Sequence, residues 1–205
     1  FGINYDPRAS AQQIAKEHFD FGRHIESQAA ATDHSERLKG GIPQRIRLGF
    51  VSADVRSHPV AYFLEPLWSN IDRGRFEIFS YDNFPSEDAV TKRFKAYTDH
   101  WLNISGMTDE AVNRQILKDR IDVLIDMSGH TARNRLSVFA RKPAPVQVTW
   151  LGHPNTTGMS RMDWRITDAS CDPEGVDALY SEKLWRLPIH AAYAPLVKHP
   201  ELRAD

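Results

Sequence analysis

The stretch Ile121-Asp122-Val123-Leu124-Ile125-Asp126-Met127-Ser128-Gly129-His130-Thr131 decides the fold. Its first five residues are almost continuously apolar, the pattern of a strand covered on both faces and not on one. A glycine turn follows at once. On the amino-terminal side, short apolar runs alternate with amphipathic stretches, giving expected strands at 46–52, 76–81 and 100–104. The helices between and after them are expected at 59–70, 87–97 and 109–120, the last capped by Thr108. On the carboxyl-terminal side a short helix is expected at 134–141, and strands at 146–151, 164–167 and 183–187. Strands alternating with helices argue for βαβ units. The expected fold class is therefore α/β: a doubly wound, mostly parallel, Rossmann-like sheet preceded by a helical segment.

The first forty residues differ in kind. Ser10 and Gln13 have the spacing of a capping box, and Ile14, His18, Phe21 and Ile25 recur at helical spacing, so a helix is expected over about 11–28. One amphipathic helix cannot bury its stripe alone. It either packs on the main domain or ends an upstream helical array. Residues 32–41, polar and ending Lys39-Gly40-Gly41, are expected to be a linker. The main domain is thus expected to start at residue 42.

The 205 residues are 41% hydrophobic and 26% charged, enough apolar side chain for a real core. Lys plus Arg number 26 and Asp plus Glu 27. This near balance offers no net field to recruit nucleic acid or an anionic membrane, and neither is an expected partner. No apolar run approaches the ~20 residues of a membrane span. The single cysteine, Cys171, excludes an intrachain disulfide and fits a reducing compartment, so the expected location is cytoplasmic.

An open parallel sheet places ligands at the carboxyl ends of its strands, which directs attention to the residues just after each one. The first strand runs into Ser52-Ala53-Asp54-Val55-Arg56-Ser57-His58-Pro59. Proline favours the first helical position, so His58 is expected at the N-cap of the next helix. The fourth strand delivers His130 and Thr131 to the same edge. The fifth runs into Trp150-Leu151-Gly152-His153-Pro154-Asn155-Thr156-Thr157-Gly158, whose glycines, hydroxyls and backbone amides suit a polar ligand. Asp54, Asp126, Asp163 and Asp168 lack a metal-site spacing, and no metal is expected. Cys171 has no histidine near it in sequence.

Taken together, these segments resemble the catalytic region of the O-linked N-acetylglucosamine transferase family, with its Spindly-like members. The matching stretches are 47–54 with Ser57-His58-Pro59, 126–131, 144–154 with Thr157-Gly158, 162–168, and Tyr180-Ser181-Glu182-Lys183-Leu184. Asn4-Tyr5-Asp6-Pro7 and the helix after it resemble the junction between that family's tetratricopeptide array and its catalytic part. The resemblance implies that 1–41 ends such an array, that 42–190 is the first lobe of a GT-B glycosyltransferase, and that 191–205 starts the connection between lobes. It also implies inverting, metal-independent transfer of a sugar from a UDP-sugar donor to Ser or Thr hydroxyls of a protein acceptor, with no cofactor. N-acetylglucosamine is the sugar expected first, and fucose is the donor sugar of Spindly-like relatives. By the same resemblance His58 lies at the reaction centre as the catalytic residue, and Leu151, Gly152 and Pro154 lie against the donor sugar; His130, Thr131, Thr157 and Gly158, delivered to the same edge by their strand ends, are expected to bind substrate with them. Ser57 stands where the family has Asn, and His153 where it has Tyr. The second lobe, in the same or a companion chain, is an implied partner, and without it the chain is expected to be inactive. A noncatalytic protein-binding module and a small-ligand regulatory α/β domain are the alternative readings.

Overall fold

The computed structural model describes residues 2–191. Seven strands, β1 (Ile46–Ser52), β2 (Phe76–Asp82), β3 (His100–Asn103), β4 (Val123–Asp126), β5 (Val146–Thr149), β6 (Trp164–Asp168) and β7 (Lys183–Leu187), form one sheet. The order is β3-β2-β1-β4-β5-β6-β7, and every pairing is parallel. The helices are α1 (Ala11–Ser27), α2 (Ser35–Lys39), α3 (Pro59–Asn70), α4 (Ala89–Lys95), α5 (Asp109–Asp119) and α6 (Leu136–Phe139). None is long and apolar enough to cross a membrane.

Alternation along the strands divides the core in two, because successive side chains point to opposite faces. Val51, Phe79, Tyr81 and Leu124 pack with α5, α6 and Ile25 of α1. Phe50, Ile78, Ile125 and Val148 face the other way and pack with Leu64 and Trp68 of α3 and Phe94 of α4. The sheet is thus doubly wound, as the continuous apolar run at 121–125 requires. Registers Val51↔Asp126 and Asp126↔Thr149 bring the carboxyl ends of β1, β4 and β5 level with one another. The strand order reverses between β1 and β4.

The cap chemistry sets the element ends. Ser10 and Gln13 form the capping box of α1, and Thr108 accepts from Ala111 N at the start of α5. α5 stops one residue before the expected end because Arg120 takes a left-handed conformation, φ 53°. α4 starts later than expected because Asp88 caps it, accepting from Thr91 N at 2.8 Å. The expected linker 32–41 holds a helix, α2. Arg37 pins it by donating to Ile121 O at 2.7 Å and pairing with Asp122 at 2.5 Å, contacts some eighty residues away in sequence. α1 packs on the main domain. Glu26 accepts from Arg161 N at 2.7 Å, and Gly22 lies so close to Gly158 that a Cβ would overlap its carbonyl oxygen. Residues 192–205, most of the expected inter-lobe connection, lie outside the described residues.

Candidate functional site

β1 delivers the first loop to the edge where the strand order reverses. Its Ser52 hydroxyl accepts from Asp54 N at 3.0 Å, turning the chain sharply. His58 then takes an extended conformation and caps α3, its Nδ1 accepting from Val60 N at 3.3 Å, with Pro59 in the first turn. The same ring's Nε2 lies 3.7 Å from Asp54 Oδ1, which also faces Arg56 at 3.5 Å. Ser57 N donates to Asp88, tying the loop to α4. His58 remains about a third exposed at the carboxyl edge of the sheet.

The β4 loop is shaped by Asp126, buried at the strand end. Its carboxylate accepts from Ser128 N at 3.1 Å, Gly129 N at 2.9 Å and Thr149 Oγ1 at 2.9 Å. Burial raises its pKa to about 6 against these bonds. Gly129, at φ +51°, presses so closely on His153 that no Cβ would fit. Thr131 spends its hydroxyl on Ser128 O at 2.7 Å.

His130 follows, and its surroundings are the main surprise of this edge. Its Nε2–H donates to Thr157 O at 2.9 Å. Its ring centroid lies 4.6 Å from His18 and 4.9 Å from Phe21, both on α1, and 5.2 Å from His153. His18 donates Nδ1–H to Ile14 O at 2.7 Å. Burial, reinforced by the neighbouring rings, lowers His130 to about 4 and His153 to about 3, and burial also lowers His18. Three neutral imidazoles therefore pack between α1 and two strand-end loops.

The β5 loop is the most constrained. Leu151 sits at φ +69°, a left-handed conformation costly for a side chain with a Cβ. Gly152 lies against Met127 O, where a Cβ would overlap. Pro154 is exposed, whereas Thr157 and Gly158 are buried, Gly158 directly against His18 O of α1. Buried charges anchor this loop from two sides. Arg165 on β6 donates to His153 O at 2.9 Å and Asn155 O at 3.2 Å, and is held by Asp172 at 2.9 Å. Glu182 accepts from Thr156 Oγ1 at 2.6 Å, Thr157 N at 2.7 Å and the Thr157 hydroxyl.

Of the residues singled out in the sequence, His58, His130, Thr131, Leu151, Gly152 and Pro154 thus keep some surface at or near the carboxyl edge of the sheet, whereas Thr157 and Gly158 have none to spare. His58 and His130 follow adjacent strands at one edge. Sequence reasoning missed His18, Arg165, Asp172 and Glu182. A histidine within the apolar stripe of α1 was the signal for the first, while the others act across the fold.

A cation would find its ligands at Asp168, Cys171 and His190, whose ligand atoms lie within 4.8 Å of one another. The fold, not the sequence, brings His190 near Cys171. Asp168 already accepts from Ser170 N, Cys171 N, His190 N and His190 Nδ1, and the last bond, 2.6 Å, is the main cause holding its carboxyl below the usual range.

Residues 12–193 match the family model described as glycosyl transferase family 41. A relative in Solanum lycopersicum, named as a probable UDP-N-acetylglucosamine–peptide N-acetylglucosaminyltransferase SPINDLY, is 35% identical over 91% of this chain and 20% of its own length. The UDP-N-acetylglucosamine–peptide N-acetylglucosaminyltransferase of Caenorhabditis elegans is 35% identical over 76% of this chain and 14% of its own. A mutant O-GlcNAc transferase of Thermobaculum terrenum superposes with a TM-score of 0.83 at 37% identity, covering 98% of this chain and 38% of that one. The chain thus spans about a fifth of the length of the tomato relative.

Proposed function

The chain belongs to glycosyl transferase family 41, and on that premise we propose that it forms the first catalytic lobe of a protein O-glycosyltransferase. The reaction moves a sugar, N-acetylglucosamine first among the candidates, from a UDP-sugar to a Ser or Thr hydroxyl of a protein, with no metal. The observation that carries this reading is His58, capping α3 at the reversal point of the sheet with Asp54 beside it. Ligands of open α/β sheets bind at that point.

The cap also supports a role for the ring. A lone pair on Nδ1 is committed to Val60 N, so Nε2, 3.7 Å from Asp54 Oδ1, is the ring nitrogen that carries a proton. His58 then acts as a hydrogen-bond donor that orients a substrate oxygen. In the transfer, the acceptor oxygen bonds to the anomeric carbon, the bond to the diphosphate breaks, and the hydroxyl proton passes to an oxygen of the departing diphosphate. The diphosphate must be stabilised on the side opposite the acceptor, and one lobe supplies only one wall of such a cleft. The reading therefore includes a second lobe that carries most nucleotide contacts.

The test is transfer of labelled N-acetylglucosamine from its UDP donor to a protein acceptor, by the full-length protein and by residues 1–205 alone. The expected result is labelling by the first and none by the second. Calorimetry on the single lobe should find the donor bound no tighter than roughly millimolar, about 4 kcal/mol. Micromolar binding by the lobe would overturn the two-lobe argument, and a full-length protein that labels no acceptor would overturn the function.

A further inference from the structure

Glu182 is 4% exposed, and no ion pair to it is found among the described residues. An ionised carboxylate taken out of water costs several kcal/mol unless its oxygens are fully used. Here they are used on one short segment. One oxygen accepts from Thr156 Oγ1 at 2.6 Å, and the other from Thr157 N at 2.7 Å and from the Thr157 hydroxyl. Thr156 Oγ1 in turn accepts from Gly158 N at 3.0 Å and from Ser181 N at 3.2 Å. With its N–H and hydroxyl fixed, Thr157 aims its carbonyl at His130 Nε2, 2.9 Å away. The bonds thus run unbroken from Glu182 through Thr157 to His130 on the neighbouring strand end.

We propose that Glu182 is a positioning residue for the transfer reaction, setting the shape of loop 153–158 and, through Thr157 O, the orientation of His130. The assignment rests on the reading that this edge of the sheet meets the donor. Glu182 touches no substrate; it acts through Thr157. A carboxylate suits the task because it accepts from three donors at once, whereas a glutamine of the same size would turn one end into a donor. A shift of about 1 Å in groups that orient a substrate can cost ~10²-fold in rate.

The experiment compares the full-length protein with Glu182→Gln, Thr156→Ala and Thr156→Ser, reading hydrogen exchange, thermal unfolding and transfer kinetics together. Glu182→Gln is expected to speed amide exchange at Thr157 and Gly158 while the amides of β1 and α3 keep their rates. It should lower kcat/KM for the UDP-sugar by about 10²-fold, with the acceptor KM unchanged. Thr156→Ala, which keeps the Glu182 side chain and removes one donor, should move the same readouts in the same direction even if Glu182→Gln fails to fold. Thr156→Ser should restore them. Unchanged exchange and donor kinetics in an active enzyme would overturn the role of Glu182 alone. A parent protein that transfers no sugar would overturn the function and this role with it.

Discussion

Replacing His153 by phenylalanine removes one of the three packed imidazoles while keeping a flat ring in the same seat. Burial first, and then His130, hold His153 down at about 3, against the 6.5 of an unperturbed ring. Below pH 6.5 the unfolded chain therefore takes up a proton that the folded chain refuses. The contribution of this ring to stability is complete above that pH and is lost as pH falls toward about 3. At about 1.4 kcal/mol per pH unit, the loss reaches about 2 kcal/mol by about pH 5. Asp82 and Asp126 work in the opposite direction, because burial raises both to about 6 and the folded state takes their protons first. The quantity to measure is thus the difference between His153→Phe and the parent, in which the aspartates cancel. Unfolding at about pH 7.5 and about pH 5 should show the variant losing about 2 kcal/mol less on acidification, roughly 4–8 °C in Tm. Parallel pH profiles would refute the claim that the fold holds this ring neutral.

Gly22→Ala should destabilise by about 1–3 kcal/mol, since its Cβ would overlap Gly158 O and α1 must lift; hydrogen exchange should show α1 loosening before the sheet. Arg165→Met strands Asp172, 2% exposed, without its cation, and should cost about 3–5 kcal/mol in thermal unfolding. Adding Asp172→Leu should recover part of that loss, and a double variant no more stable than the single would contradict the pairing.

What the sequence made legible was local. The bounds of β1, α3 and β7 follow from the apolar run at 46–52, from Pro59 beside His58, and from the run at 183–187, and the structure reproduces all three. The parallel sheet followed from alternation, and the N-cap position of His58 from a single proline. What stayed hidden depends on contacts distant in sequence. α2 is held by Arg37 reaching the start of β4, and nothing within 32–41 announces that contact. The stripe of α1 predicted a buried helix without saying what it covers. His130 was expected at the strand-end edge, and the structure places it there, packed against His18 and Phe21 of that helix. Buried charges were the least readable part. Arg165, Asp172 and Glu182 look in sequence like surface residues, and only the fold brings them to loop 153–158.

The central claim, that the edge around His58 is where a sugar is transferred, is tested most directly by His58→Ala in the full-length protein. Thermal unfolding should be measured beside transfer of labelled sugar to a protein acceptor. Losing the cap to Val60 N should cost on the order of 1 kcal/mol of stability. Losing the donor at Nε2 should lower turnover by ~10²-fold or more. Near-normal turnover in a folded variant would reduce His58 to a helix cap and contradict the account.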